Sequence, residues 1–532
     1  MAGPGPEDET QPAEAEATEV RFTAGLSEAA TPTPTPVTVP AAAPDGQTYA
    51  EPVDPWATAE AAAIAAGGQP GGYTPHPHPE GTWTVPGAVE STVSSRRRLG
   101  LIIGGAATAV VVLVAAVATV LLWPKFPALD YHSLREVGRV APEPAFTSTF
   151  VDSEVYGDRA FFAGVTEAGP LHTVAVDTGT GTTLWQNDSA GTAYSWKWMY
   201  AREKVVVFVS GVDPTTSRSR VVALSSDDGR LVWDEDLGSS DELYLASDVV
   251  LWVNREAKKL TGLDLADGTV KWSVDDPDST TLLLVTGPDD VNGPAGTGGR
   301  PFAPAAGDKQ RFVQIDSDRT VSVRDVRTGD VLQKRAEVAS TGDKVAAHDG
   351  RLYVLEPGTT KRVFRYDLAK LADAQPESVY TVAADESLDE LTPCGNLLCF
   401  VATTGYDRKA AVVRAVGGEG GWEKTVPGAE SLVSVGSNGL LAISDEGTTL
   451  FVGGKQAWYR LGVTVRLDAR NVLSFSDALT SSVSDRELSG THLGEESVNL
   501  GVLQKVRSDT CSWNTSVVVC AEEKEYVVYS FA

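Results

Sequence analysis

The sequence AVDTGTGTTLW at residues 175–185 is the best guide to the fold, because three further stretches repeat its pattern. They are ALSSDDGRLVW at 223–233, GLDLADGTVKW at 262–272 and VRDVRTGDVLQ at 323–333. Aligned without gaps, all four have glycine at the seventh place, three have aspartate at the third, and three end in tryptophan. The residues at these places are Gly181, Gly229, Gly268, Gly329, Asp177, Asp264, Asp325, Trp185, Trp233 and Trp272. A pattern that returns every 39 to 61 residues indicates one supersecondary unit per repeat.

Each copy predicts a β-hairpin whose turn contains the shared glycine. An apolar strand ends at an acidic or hydroxyl residue, the chain turns, and a second strand ends at the eleventh place. Glycine adopts the positive φ of a tight turn without steric cost, and an aspartate such as Asp177 accepts hydrogen bonds from its own turn. A tryptophan at the end of the second strand buries a large face against a neighbouring sheet. The four copies therefore predict four sheets that pack on one another.

Other strands complete these units and continue to the end of the chain. Strands such as KVVVFVS at 204–210 and DVVLWVN at 248–254 precede the hairpins, and weaker copies follow up to residue 488. Three or four short strands in about 50 residues are typical of a propeller blade. Leftover strands at 133–141 and 517–532 would close the ring by sharing one sheet, which removes exposed edges. The sequence predicts an all-β propeller of eight blades, with seven as the alternative.

The pattern A-x-D-x-x-T-G-x-x-x-W, which residues 175–185 match in full, resembles the tryptophan-docking repeat of quinoprotein-type propellers, called the PQQ-like repeat. The whole chain is similar to actinobacterial single-pass membrane proteins with PQQ-like repeats. The outer-membrane assembly factor family of propeller lipoproteins shares the repeat. Quinone-binding members of this group use a calcium ion, a catalytic aspartate and often a pair of adjacent cysteines. This chain has no adjacent cysteines, so we expect the resemblance to cover the scaffold and not the cofactor.

The stretch LGLIIGGAATAVVVLVAAVATVLLW, residues 99–123, contains no charged residue. At about 1.5 Å per residue a helix of this length crosses a hydrocarbon core of about 30 Å. Arg96, Arg97 and Arg98 precede it and only Lys125 follows closely. Because positive charge stays in the cytoplasm, we expect residues 1–98 inside and the propeller outside. Gly100 and Gly104 form a short GxxxG pattern, a weak case for a homodimer through this helix.

The first 95 residues differ in composition from the rest of the chain. They contain 15 of the 30 prolines and 13 acidic residues against one basic residue. A segment with so little apolar surface cannot offset its ordering entropy, which predicts a disordered cytoplasmic tail. The expected organisation is a tail at 1–95, a membrane helix with its basic flank at 96–123, a juxtamembrane linker at 124–130 and a propeller at 131–532.

The net charge of −28 limits the choice of partners. Residues 124–532 carry 59 acidic and 40 basic groups. A surface of this sign repels the phosphates of nucleic acids, so no nucleic-acid partner is expected. Another envelope protein or a cell-wall polymer remains the expected partner.

All four cysteines of the chain lie on the predicted outer side, where disulfides persist. Cys394 and Cys399 flank the sequence GNLL, and Cys511 and Cys520 flank SWNTSVVV. Both pairs fit across a hairpin, where facing Cβ atoms lie near disulfide distance. The sequence therefore predicts the bonds Cys394–Cys399 and Cys511–Cys520.

Two stretches are candidate binding surfaces. The longest insertion, TGPDDVNGPAGTGGRPFAPAAGDK at 286–309, contains Asp289, Asp290 and Asn292, whose oxygens suit a calcium ion. A flexible acidic, Gly-rich loop is the favoured interpretation of this insertion. The stretch YSWKWMY at 194–200 places Trp196 and Trp198 at alternate positions, which predicts one aromatic strand face. Such a face binds sugar rings or a partner's apolar anchor, but packing between blades is the favoured interpretation.

We expect this protein to be a membrane-anchored, non-catalytic binding or scaffolding module with no cofactor and no metal. The histidines of the outer part, His132, His172, His348 and His492, are scattered, and no nucleophile elbow or metalloprotease motif occurs. Two alternatives stay open. One is a quinone-dependent dehydrogenase, and the other is an envelope sensor that signals through the cytoplasmic tail.

Overall fold

Strands dominate the computed structural model, which describes residues 126–275, 279–295, 310–358, 360–373, 375–405 and 410–532. Within these ranges the helical elements are two short 3-10 helices, Pro288–Val291 and Leu368–Lys370. Across the same ranges, no helix has the length and hydropathy needed to span a bilayer. The predicted tail at 1–95 and the predicted membrane segment Leu99–Trp123 lie outside the described residues.

Seven antiparallel sheets of four strands each follow one another along the described chain. We call the strands of each sheet A, B, C and D in chain order. The first four sheets are β2 Phe146–Tyr156, β3 Arg159–Thr166, β4 Leu171–Asp177 and β5 Thr183–Asn187; β6 Trp196–Ala201, β7 Val205–Ser210, β8 Arg218–Ser225 and β9 Leu231–Gly238; β10 Glu242–Leu245, β11 Val249–Asn254, β12 Lys259–Asp264 and β13 Val270–Asp275; and β14 Thr281–Leu284, β15 Arg311–Ile315, β16 Val321–Asp325 and β17 Val331–Arg335. The next three are β18 Val345–His348, β19 Arg351–Glu356, β20 Arg362–Asp367 and β21 Glu377–Thr381; β22 Glu386–Cys394, β23 Leu397–Thr404, β24 Val412–Val416 and β25 Trp422–Thr425; and β26 Ala429–Val435, β27 Gly439–Ser444, β28 Gly447–Val452 and β29 Lys455–Leu461.

The eighth sheet has seven strands and contains both ends of the described chain. Its members are β30 Val463–Arg466, β31 Asn471–Phe475, β32 Val483–His492, β33 Val498–Trp513, β34 Val517–Ala521, β35 Tyr526–Ser530 and β1 Arg135–Val140. Strand β1 pairs antiparallel with β35, so that Arg135 lies opposite Ser530. The prediction that the leftover strands share a sheet is confirmed.

Strand β33 belongs to two halves of this last sheet. Its first part pairs with β32 and its last part with β34. Apolar side chains of both halves lie in one cluster, which contains Leu473 and Leu488 of one half and Val518 and Val527 of the other. The sheets count as eight blades when this sheet is one blade and as nine when its halves are separate. The blade number therefore stays a prediction.

The sheets form the blades of a β-propeller. The A strands of neighbouring sheets contact one another, as in β2 with β6 and β22 with β26, and β2 also contacts β33 and β34. Apolar side chains fill the spaces between neighbouring sheets; for example, Phe161 of β3 and Phe208 of β7 lie in one cluster. Middle strands are buried on both faces, which explains why β7 reads as a continuous apolar run without alternation.

Residues 126–134, which include the described part of the predicted linker, pack against the last sheet. The carbonyl of Pro127 accepts a hydrogen bond from Nδ2 of Asn471 at 3.0 Å. The ring of Tyr131 stacks on Phe531 with 6.3 Å between centroids and lies over Gly490, where an added Cβ would be 2.4 Å from Cε1 of the tyrosine. This part of the chain is therefore held on the propeller before β1 begins.

Candidate functional site

The repeated turns have one geometry in all four copies. In the first copy, the N–H of Gly181 donates to the carbonyl of Asp177 at 2.8 Å, and the N–H of Asp177 donates to the carbonyl of Thr182 at 2.9 Å. The carboxylate of Asp177 accepts hydrogen bonds from the N–H and the hydroxyl of Thr180, both at 2.8 Å. The Thr180 hydroxyl and N–H lower the pKa of Asp177 below its ordinary value. The carboxylate of Asp177 thus accepts its hydrogen bonds from within its own turn.

Each repeat tryptophan docks into the turn of the next sheet. The indole N–H of Trp185 donates to the carbonyl of Ser226 at 3.0 Å. The indole N–H of Trp233 donates to the carbonyl of Leu265 at 3.0 Å, and the indole N–H of Trp272 donates to the carbonyl of Val326 at 2.9 Å. Each acceptor is the fourth residue of the following copy. The tryptophans therefore hold successive sheets together, as the sequence predicts.

The shared glycines make room for these tryptophans. An added Cβ would lie 2.5 Å from Cε3 of Trp185 at Gly229 and 2.5 Å from Cε3 of Trp272 at Gly329. The glycines also adopt φ near +70°, which a residue with a side chain rarely does. The seventh place therefore requires glycine for two separate reasons, the turn and the approach of the preceding sheet.

The same contact recurs where the sequence repeat has decayed. Gly454, with φ of +74°, lies against Trp422 of the preceding sheet, and an added Cβ there would be 2.5 Å from Cδ1 of the indole. Trp422 also packs on Phe451, with 5.0 Å between ring centroids. The repeat pattern does not predict this contact, because only the Gly-Gly pair before β29 marks its position in the sequence.

The structure separates the predicted aromatic stripe. A bulge in the pairing of β6 with β7 lies between Trp196 and Trp198. Trp196 consequently packs with Phe208 between the first and second sheets, whereas Trp198 and Tyr200 pack between the second and third. The expectation of one aromatic face was wrong, because a single extra residue reverses the alternation of side chains. Both tryptophans pack between sheets.

The insertion after β14 contains the three predicted calcium ligands. Asp290 accepts a hydrogen bond from the N–H of Gly287 at 2.5 Å, and Asp289 accepts one from Nδ2 of Asn292 at 3.2 Å. In the part of the chain that the structure describes, no three acidic, cysteine or histidine residues form a group suited to a metal ion. These side chains stabilise the 3-10 helix Pro288–Val291, and residues 296–309 of the insertion lie outside the described residues.

Residues 286–295, which we call the crossing segment, contact sheets far from their own. The N–H of Gly436, in the seventh sheet, donates to the carbonyl of Val291 at 3.1 Å. Ala295 pairs with Arg466 at the end of β30 through two backbone hydrogen bonds of 3.1 and 3.2 Å. The fifth and sixth sheets lie between these points along the ring. The crossing segment therefore joins the fourth sheet to the seventh and eighth sheets on the side of the A–B turns.

Arg466 holds the crossing segment in place and was not singled out from the sequence. Its guanidinium donates to the carbonyls of Gly293 at 2.6 Å, Ser434 at 2.5 Å and Asp290 at 3.1 Å. The residue is only 3% exposed. Burial lowers the pKa of Arg466 to about 10, although the negative charge of Asp290 nearby raises it in part. The side chain therefore stays charged at neutral pH. Three carbonyl acceptors satisfy a buried cation that has lost its water.

The predicted disulfides are both present. Cys394 and Cys399 are bonded with 5.8 Å between Cα atoms, and Cys511 and Cys520 with 4.2 Å. The first bond joins β22 to β23 and the second joins β33 to β34. Both pairings are confirmed.

Comparison with known proteins agrees with this geometry. The PQQ_2 family model, described as outer membrane protein assembly factor BamB, matches residues 172–341. No curated protein sequence matches the chain.

Solved structures align with most of the chain at low identity. BamB from Moraxella catarrhalis is 12% identical, with 75% of this chain and 98% of that chain covered and a TM-score of 0.35. The computationally designed Ika8 protein is 12% identical, with coverage of 75% and 100% and a TM-score of 0.39. A europium-containing methanol dehydrogenase is 11% identical, with coverage of 64% and 85% and a TM-score of 0.35. On the family match and the docked sheets together, the chain is a β-propeller with PQQ-like repeats.

Proposed function

We propose that this protein is a single-pass membrane protein whose propeller binds or scaffolds another envelope protein or a cell-wall polymer, without catalysing a reaction. The observation that carries the proposal is the docking between sheets. Trp185, Trp233 and Trp272 donate their indole N–H groups to the backbone of the next sheet, and Asp177 is held by its own turn. The residues that define the repeat thus build a rigid scaffold.

The family match supports a role in protein assembly. Residues 172–341 match a family whose description is an outer membrane protein assembly factor. A rigid ring with loops on both sides presents a stable surface to a partner, because binding residues are commonly placed on loops of a rigid scaffold. Another envelope protein is therefore the first partner to seek, and a polymer the second.

The proposed topology has residues 1–98 inside, the helix at Leu99–Trp123 and the propeller outside the cytoplasm. Arg96, Arg97 and Arg98 against Lys125 support this orientation. The two disulfides support it independently, since such bonds are rare in a reducing cytoplasm. Protease added to intact cells should degrade the propeller and spare the tail; a protected propeller would reverse the topology.

Photo-cross-linking in native membranes tests the proposed binding role. A photoreactive amino acid replaces Tyr194, which is 68% exposed in a loop before β6, or Tyr459, which is 47% exposed on the outer strand β29. A position inside the core, Phe161, is the matched control. We expect a discrete adduct with an envelope component from an exposed position and none from Phe161. Deletion of residues 1–95 should leave the adduct intact, whereas its loss would favour the sensor alternative.

A second assay tests the enzymatic alternative. The purified full-length protein is melted with and without quinone cofactor and calcium, and mixed with a redox dye and an alcohol or sugar. We expect an unchanged melting temperature, because only a ligand that binds the native state stabilises it. A raised melting temperature together with dye reduction would replace the scaffold proposal by a dehydrogenase.

A further inference from the structure

We propose that the side of the propeller carrying the A–B and C–D turns, and not the opposite side with the B–C and D–A loops, faces the lipid bilayer at short range. This proposal rests on the membrane anchor proposed above. The experiment below separates failure of the orientation from failure of the anchor.

The first step is the place where the chain reaches the propeller. The carbonyl of Pro127 accepts a hydrogen bond from Asn471. Asn471 is the first residue of β31 and directly follows the A–B turn of the last sheet. Tyr131 lies over Gly490 near the end of β32, beside the C–D turn. The N–H of Leu134 then donates to the carbonyl of Leu500 at 2.6 Å. Residues 127–134 are thus fixed to the side of the A–B and C–D turns.

The second step is the length of chain between this contact and the predicted helix. The apolar stretch ends at Trp123, and only residues 124–126 separate it from Pro127. Four Cα–Cα steps of 3.8 Å span at most about 15 Å. A strand of six residues is about 20 Å long, so the tether is shorter than the propeller is deep. The far side of the ring cannot reach the bilayer on this tether while Pro127 stays docked.

The third step is what else lies on the same side. The crossing segment contacts Gly436 and Arg466 on the same side. This side of the propeller therefore carries both the crossing segment and the docked residues 127–134.

The fourth step concerns charge. Turns on the proposed membrane side carry acidic residues, among them Asp158, Asp227, Asp228, Glu495 and Glu496. Anionic lipid repels such turns, and the repulsion fades beyond a Debye length of about 8 Å. The short tether, and not electrostatic attraction, therefore holds this side near the bilayer.

Paramagnetic quenching in proteoliposomes measures the orientation on the full-length protein. All four cysteines are in disulfides, so a single new cysteine takes a fluorophore specifically. Glu495→Cys labels the C–D turn beside β32, and Glu446→Cys labels the B–C loop of the seventh sheet as a matched exposed glutamate. Lipids with nitroxide-labelled headgroups should quench the label at Glu495→Cys at least twofold more than the label at Glu446→Cys.

Two control variants test the tether. Insertion of a 15-residue Gly-Ser linker after Lys125, or Tyr131→Ala to release the docked segment, should reduce quenching at Glu495→Cys toward the level at Glu446→Cys. Equal quenching at both labels in protein that resists alkaline carbonate extraction would overturn the orientation and leave the anchor standing. Release of the protein by carbonate would overturn the anchor itself, and stronger quenching at Glu446→Cys would reverse the orientation.

Discussion

A Cβ atom added at Gly268 would lie 2.6 Å from Cγ of Trp233, closer than two non-bonded carbon atoms approach. The two residues belong to different sheets, and Trp233 also donates its indole N–H to Leu265 in the same turn as the glycine. One glycine therefore serves the turn of its own sheet and the packing of the preceding one. The stability of the ring depends on such pairs.

Gly268→Ala tests the double role of this position, with Gly157→Ala as the matched control. Gly157 has φ of +62° but no atom within 4 Å of an added Cβ, whereas Gly268 has φ of +72° and the indole beside it. The left-handed conformation alone costs alanine about 1–2 kcal/mol. Overpacking against Trp233 adds about 1–3 kcal/mol, so Gly268→Ala should be clearly the more destabilising in chemical denaturation. Equal losses would show that the indole moves freely aside.

Trp233 should contribute mainly through its buried ring. Trp233→Ala is expected to lower the free energy of unfolding by about 3–5 kcal/mol, as for other large buried side chains changed to alanine. Trp233→Phe keeps an aromatic ring but leaves the carbonyl of Leu265 without its donor, which costs about 1–3 kcal/mol. Denaturant titration of both variants measures the difference. In a double-mutant cycle, Gly268→Ala should cost less on the Trp233→Ala background, and strict additivity would contradict the contact.

Arg466 should control the mobility of the crossing segment. Arg466→Met removes the donor of three hydrogen bonds to carbonyls, each worth about 1 kcal/mol. Amide hydrogen exchange of residues 287–295 should then accelerate at least tenfold, and Arg466→Lys should restore protection only in part, because one ammonium cannot reproduce the guanidinium fork. The exposed Arg470 of the following turn provides the control Arg470→Met, which should leave this exchange unchanged.

The disulfides should stabilise the propeller moderately. The bonds close short loops, with sequence separations of 5 for Cys394–Cys399 and 9 for Cys511–Cys520. Loop-closure entropy for loops of this size corresponds to about 2–3 kcal/mol each. Replacing either pair by alanine should lower the denaturation midpoint without changing the fold, as measured by circular dichroism. An unchanged midpoint would mean that the bond adds nothing to the hydrogen-bonded hairpin.

Stability should fall as the pH drops below the ordinary histidine pKa of 6.5. Burial lowers the pKa of His348, which lies near Asp349 and Arg351 and shares a 2.8 Å hydrogen bond with Thr286. A ring with a lowered pKa stays neutral in the fold while the unfolded chain binds a proton, so protonation favours unfolding in that window.

Burial also lowers the pKa of His492, whose ring pairs with Asn471 at 3.0 Å among Arg470, Glu495 and Asp468. The free energy of unfolding, measured from about pH 7.5 to about pH 5.5, should therefore decrease. His348→Gln and His492→Gln should each flatten the decrease, and a flat profile in the unmodified protein would contradict the assignment.

The four repeat hairpins and the two disulfides were predictable from the sequence because their causes are local. Gly181 and Asp177 lie four residues apart, and their hydrogen bonds form within one turn. The cysteine pairs are likewise separated by 5 and 9 residues, within single hairpins. Interactions over such short stretches leave a pattern that one sequence displays.

The face of each aromatic residue on β6 and the path of the crossing segment were decided by the tertiary structure alone. One bulge opposite β7 sends Trp196 and Trp198 to different faces, and no residue of YSWKWMY marks its position. Arg466 meets carbonyls at positions 290, 293 and 434, whose separations along the chain no periodicity encodes. The hairpin and its turn follow from the local sequence, because backbone conformation and near-neighbour hydrogen bonds act within a few residues. Only the closed ring decided which distant groups meet, because burial and the pairing of a buried charge depend on the assembly of all sheets.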